Sequence, residues 1–148
     1  MAGKSENSQT LQFPARNLTV YQKSDPSKLK LERDGEDELL LILFGDSIVL
    51  EGSVDWSQLV QNNKYKLALT AKLTGYRDIT IRIIAQPPFQ QVLSKDINLS
   101  PSGELKVLNG PEFQVTGTGV MKYFVIVVGN VPPDSTLYVK GVDAIPIV

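Results

Sequence analysis

Residues 64–89 alternate apolar and polar side chains with a period of two almost without interruption, and this alternation constrains the fold more than any other feature of the chain. In KYKLALTAKL, Tyr65, Leu67, Leu69, Ala71 and Leu73 share one face, and Lys66, Ala68, Thr70 and Lys72 share the other. After the turn TGYRD, Ile79, Ile81 and Ile83 lie on one side, with Thr80, Arg82 and Ile84 opposite. A strand has this period and a helix does not. A slip of one residue would bury lysine and arginine, so the register is well specified. AQPPF ends the second strand, because proline cannot donate to a ladder.

The rest of the chain repeats the pattern in short pieces. Strands are predicted at 18–21, 28–32, 39–44 and 48–52, then beyond residue 90 at 90–100, 105–108, 112–117, 121–129 and 136–148. LLLILF (39–44) is apolar throughout, as in a strand covered on both faces. Charged RDGEDE (33–38), NGP (109–111) and NVPPDS (130–135) read as loops. SVDWSQLVQNN (53–63) does not alternate cleanly, and a single helical turn capped by Ser53 or Asp55 fits it. Roughly ten short strands and no long helical period predict an all-β fold, a two-sheet antiparallel sandwich of the jelly-roll kind. Residues 1–10 are polar and predicted to be a flexible segment, and 11–148 form one domain.

The composition narrows the function by what it lacks. The 148 residues carry 15 basic and 16 acidic side chains, so no strong field exists to hold a phosphate backbone, and nucleic acid is a poor partner. There is no cysteine for disulfides or thiolate metal sites. There is no histidine, the usual general base and the commonest metal ligand. The longest apolar run is too short to span a bilayer. MAGKSENSQT has no apolar signal core, which fits either a cytoplasmic protein or a mature domain of a longer secreted chain.

Few motifs carry chemistry. The acidic cluster Asp34, Glu36, Asp37 and Glu38 lacks EF-hand spacing, so calcium stands against a plain solvated loop. Gly117 and Gly119 lack the third glycine of a dinucleotide site and fit a loop between strands. Asp25, Asp46, Asp55, Asp78, Asp96 and Asp143 offer carboxylates for glycoside chemistry, but spacing does not show which are neighbours. Trp56, the only tryptophan, sits among polar residues, either as a stacking face for a sugar ring or as an anchor in the core. Phe89 in QPPFQQ presents the same choice, and Gln90 and Gln91 beside it both donate and accept, which suits hydroxyl groups. Tyr76 lies in a turn, whereas Tyr123 falls in an apolar strand and reads as core. Arg82 and Lys66 lie on the non-core face of the alternating stretch, which is either open surface or the floor of a shallow groove, with Ala68 leaving room for a ligand.

The order of YKLALTAK (65–72), PFQQ (88–91) and TLYVKGVDAI (136–145) resembles carbohydrate-binding modules of the family 4, 9 and 22 type, over about residues 54–147. Those modules share a galactose-binding-like jelly roll. The chain departs from them in having Thr70 where an aromatic is common, Lys140 and Gly141 where paired aspartates are usual, and no opening segment of the kind that builds a structural calcium site. The resemblance implies a module that binds plant cell-wall polysaccharide without cleaving it, in a shallow groove on one sheet. It implies ring stacking by Trp56 and Phe89, and hydroxyl recognition by Arg82, Gln90 and Gln91. It also implies no cofactor, with a structural calcium unsupported by a clear motif, no membrane, and a place in a larger secreted enzyme. The rival expectations are a self-assembling structural jelly roll, such as a capsid-type subunit, and a small carboxylate glycosidase.

Overall fold

The computed structural model describes residues 10–21, 29–34, 37–45, 48–128 and 131–147, without the side chains of 20, 21, 29–34, 37, 38 and 43–45. Residues 1–9 of the expected flexible segment and the acidic cluster's side chains lie outside this set, as do Asp25 and Asp46.

Eleven strands are described: β1 (Leu11–Pro14), β2 (Thr19–Tyr21), β3 (Leu29–Asp34), β4 (Asp37–Gly45), β5 (Val49–Asp55), β6 (Lys64–Thr74), β7 (Ile79–Gln86), β8 (Leu93–Leu99), β9 (Lys106–Gln114), β10 (Val120–Val128) and β11 (Val131–Pro146). They form two antiparallel sheets. One runs β3-β4-β11-β6-β9, with β1 also pairing β11, and the other runs β2-β5-β10-β7-β8. The fold is the expected all-β sandwich. No helix among the described residues is long and apolar enough to cross a membrane.

Alternation places the core between the sheets. Leu67, Leu69, Ala71 and Leu73 of β6 point inward with Leu137, Val139 and Val142 of β11. They meet Ile79, Ile81 and Ile83 of β7 and Met121, Tyr123, Val125 and Val127 of β10. Tyr123 occupies room that Gly52 leaves, because a Cβ at Gly52, its partner on β5, would run into the phenol ring. Phe13 packs on the same ring with centroids 5.7 Å apart. In β4, Leu39 to Ile42 are all buried, as expected of a strand covered on both faces.

Several expected loops are strands. β3 and β4 pair as far as Asp34 and Asp37, so strands occupy most of the charged segment. β9 runs through NGP, absorbing Gly110 and Pro111 in a register shift opposite Leu67. β11 runs through the proline segment with a shift between Val131 and Thr136. A proline or glycine that looks like a stop is tolerated at such an irregularity.

The room for a ligand expected at Ala68 on the outer face of β6 is absent. Ala68 is completely buried, flanked in register by Asp143 and Asn109. Lys72 extends over the Tyr138 ring, 4.4 Å from its centroid. The expectation that Lys66 and Arg82 share one surface is also overturned. β6 and β7 belong to different sheets, so the two side chains face away from each other on opposite sides of the sandwich.

Two outcomes follow from this packing. Gly52→Ala must displace the Tyr123 ring and lowers stability by about 1–3 kcal/mol in a denaturant melt. Burial holds the Asp143 carboxyl above its ordinary value of 3.8, opposed by the charge of Lys140. As pH rises from 3.8 towards the raised folded value, the folded state retains a proton that the unfolded chain has released, so this group's contribution falls. Asp143→Asn flattens that decline, as read by chemical denaturation from acid to neutral pH.

Candidate functional site

The loops at one end of the sandwich are fastened together. Trp56 N–H donates to Gly119 O at 3.0 Å, Asn62 N–H to Val115 O at 2.7 Å, and Val115 N–H to Asn63 O at 3.1 Å. The Gln61 side chain donates to Gly117 O at 2.6 Å and accepts from Gly117 N–H at 2.9 Å. Gln114 Nε2 donates to Asn62 O at 3.1 Å. The glycine pair 117 and 119 therefore serves a loop between β9 and β10, as expected.

Trp56 begins a short 3-10 turn, Trp56–Gln58, capped by Asp55, whose Oδ1 accepts from Ser57 N–H at 2.9 Å. That bond holds the Asp55 carboxyl below its usual range. The indole points into the core and is fully buried, so it offers no face to a sugar and the stacking role expected for Trp56 is overturned. Its parity explains this, since Leu50, Val54 and Trp56 continue one inward row of β5. The indole Nε1 has no hydrogen-bond partner in the structure.

Phe89 stands in the opposite condition, 99% exposed at the same end. Gln90 N–H donates to Pro87 O at 3.4 Å, closing a turn over Pro87–Gln90. Pro88 occupies the second position, and Phe89 the third with φ 58°. This is the pattern of a type II turn, whose third position favours glycine. A bulky residue there is unusual and costs about 1–2 kcal/mol. The turn is held down at two points by the segment 114–119. Gln90 Nε2 donates to Thr116 Oγ1 at 3.1 Å and to Gln114 O at 3.4 Å. Pro88 lies against Gly119 so closely that a Cβ there would collide with its ring. Gln90 thus positions the loop with the amide donors expected for hydroxyl recognition, while Gln91 is exposed beside it.

Arg82 lies on the outer face of β7, apart from this turn but on the side of the sheet that leads to it. It pairs side-on with Asp96 across the strands, Nε to Oδ1 at 2.7 Å and Nη2 to Oδ2 at 3.2 Å. Cross-strand neighbours make up the rest of this face: Ile126 and Val49 beside Arg82, then Ser94, Ile84, Phe124, Glu51 and Thr19, then Gln86, Lys122 and Ser53. Ile84, Phe124 and Ile126 are half-buried, so an apolar centre is edged by charge and hydroxyl groups. The structure therefore places Phe89, Gln90 and Gln91 on one turn after β7, packed against residues 114–119, and Arg82 on the outer face of β7, paired with Asp96; it removes Trp56.

The other end of the sandwich holds a cleft of about 330 Å³, lined by Tyr76, Arg77, Pro132, Pro133, Asp134 and Ser135. Of these residues only Tyr76 stood out in the sequence, as a turn aromatic. The signal for the rest lies in pairing: Thr74 of β6 sits opposite Thr136 of β11, which brings TGYRD against PPDS.

Hydrogen bonds from Asn98 and Ser100 hold Asp78 below its usual range, and Arg82 does the same for Asp96. Asp143, raised by burial, lies in the other sheet. Among the described residues no group of three or more acidic side chains is placed to hold a metal ion.

No protein-family model matches the sequence, and no curated protein matches it significantly. The fold is shared with solved carbohydrate-binding modules. A family 35 module from Clostridium thermocellum superposes with a TM-score of 0.65 at 10% identity, over 92% of this chain and 97% of that one. The C-terminal family 22 module of a Clostridium thermocellum protein gives 0.61 at 13% identity, over 94% and 95%. A family 61 module in complex with β-1,4-galactotriose gives 0.55 at 15% identity, over 94% and 88%. At these identities the likeness is one of fold.

The anchor role of Trp56 has a measurable signature. Trp56→Ala costs about 3–5 kcal/mol in urea denaturation. Trp56→Phe costs much less, because it also removes a buried N–H whose lack of a partner is worth about 1–3 kcal/mol.

Proposed function

We propose that the chain is a non-catalytic carbohydrate-binding module that takes a plant cell-wall polysaccharide along the outer face of the β2-β5-β10-β7-β8 sheet, from Arg82 past Gln86 to Phe89. The observation that carries this reading is Phe89, a fully exposed ring in a glycine-favouring turn position, on a turn fastened to the segment 114–119. A strained residue kept at a surface position is a mark of function. The flat ring meets the apolar face of a pyranose, and a preformed loop loses little entropy on binding. Gln91, the free donors of Arg82, and the hydroxyl and charged edge of the sheet meet the sugar hydroxyl groups. The fold supports the sugar class, since one module of the same fold is named in complex with β-1,4-galactotriose. The plant cell-wall preference follows from the sequence resemblance. Phe89 is the one exposed aromatic among the described side chains of this surface, so affinity is modest, and the chain works as a targeting part of a larger secreted enzyme without a cofactor of its own.

Affinity electrophoresis through gels containing xylan, β-glucan, mannan or pectin tests the proposal, with Phe89→Gly alongside. Retardation by one glycan is expected, weakened about tenfold or more in the variant, which melts at no lower temperature because glycine relieves the turn. Retardation unchanged in Phe89→Gly rejects this surface. No retardation of the folded protein by any glycan rejects the sugar reading in favour of a self-assembling jelly roll, visible as concentration-dependent sedimentation.

A further inference from the structure

The cleft at the end opposite Phe89 has the chemistry of a second binding site. Two loops form it, 75–78 between β6 and β7 and the Pro132–Ser135 stretch of β11. Gly75 lets them approach. With φ 129°, it lies so close over Ser135 that a Cβ would run into the serine side chain. Asp134 sits in the left-handed region with φ 64°. Tyr76 is 89% exposed, so its ring is free on the cleft wall, and Pro132 and Pro133 form the facing apolar surface.

The polar groups are unused. Ser135 is 4% exposed, and its hydroxyl has no hydrogen-bond partner. Arg77 and Asp134 line the same cleft, and among the described residues they form no ion pair with each other. The guanidinium only donates, and the carboxylate only accepts. A ligand that satisfies both must accept at one point and donate at another nearby. Neighbouring hydroxyl groups on a ring do this. A carboxylate ligand gains Arg77 but meets the charge of Asp134, and an ammonium ligand meets the reverse. The volume is at the lower end of the range of small-molecule sites, enough for a single small ring compound.

We infer that this cleft binds one neutral sugar ring, with adjacent hydroxyl groups between Arg77 and Asp134 and the ring's apolar face on Tyr76. The inference rests on the carbohydrate reading for its ligand class but not on the Phe89 surface. The same ring chemistry is offered by a free sugar and by the terminal unit of a chain.

Nuclear magnetic resonance titration of the full chain distinguishes these cases. The probes are methyl β-glucopyranoside, methyl β-galactopyranoside and sodium glucuronate, followed at the amides of 75–78 and 134–136. One neutral glycoside is expected to give saturable shifts there, in the millimolar range, with glucuronate binding more weakly. Arg77→Gln and Tyr76→Ala, both at exposed positions, should each weaken binding about tenfold or more, whereas Phe89→Gly should leave the titration unchanged. A hexasaccharide of the same sugar that matches the glycoside in affinity per chain identifies chain ends as the ligand, and failure of the hexasaccharide to bind identifies the free sugar. Absence of saturable shifts with both neutral glycosides, tighter binding of glucuronate, or full binding by Arg77→Gln overturns the inference. Polymer retardation reads the Phe89 surface and this titration reads the cleft, so either site fails by itself.

Discussion

Everything on the surface depends on two inward rows meeting face to face: Leu67, Leu69 and Leu73 of β6 against Ile81 and Ile83 of β7, with Val125 and Val127 of β10 beside them. These rows fix which way every other side chain on the central strands points. They also fix the ends. β6 and β7 are consecutive but lie in different sheets, so the turn between them crosses the core at its rim and presents Tyr76 and Arg77 there. At the other rim Tyr65 carries the core outward, stacking on Phe113 at 5.9 Å and accepting Val60 N–H at 3.0 Å.

The two rims are finished differently. At the Trp56 rim, backbone and glutamine side chains join the segments 56–63, 87–90 and 114–119 into one unit, and a buried indole fills the space beneath them. The cost of an unpartnered indole N–H is acceptable because the ring's buried area is large. A closed rim of this kind leaves only what is deliberately held out, and that is Phe89. At the Tyr76 rim, Thr74 Oγ1 donates weakly to Thr136 O at 3.4 Å, and Ser102 N–H donates to Leu73 O at 3.1 Å, but the space between the two loops stays open.

Period-two reading recovered the faces of β6, β7 and β10 and the two-sided burial of Leu39 to Ile42, because burial acts directly on alternation. It did not recover sheet membership, since alternation says which side chains share a face and nothing about which strand lies next door. Lys66 and Arg82 were therefore joined on one imagined surface. The polar neighbours of Trp56 left it open between a sugar face and a core anchor, and the resemblance implied the former, although the parity of Leu50 and Val54 already pointed it inward. The loops of the Tyr76 cleft are more than fifty residues apart in sequence and meet only through the β6–β11 pairing, so nothing local to either segment could have disclosed it.

The geometry of the two rims limits how they work together. β6 spans the sandwich in 11 residues, which places the rims on the order of 35 Å apart. Adjacent sugar units of one chain cannot occupy both. Nor does the closely packed core between them offer two alternative arrangements through which one site would alter the other. Where both surfaces take sugar as proposed, any gain from having both is a matter of effective concentration: a chain held at Phe89 would keep its own distant end, or a neighbouring chain, near the Tyr76 cleft. On a dissolved oligosaccharide shorter than that separation the two sites act independently, and only on a long or densely packed polymer do their modest affinities combine.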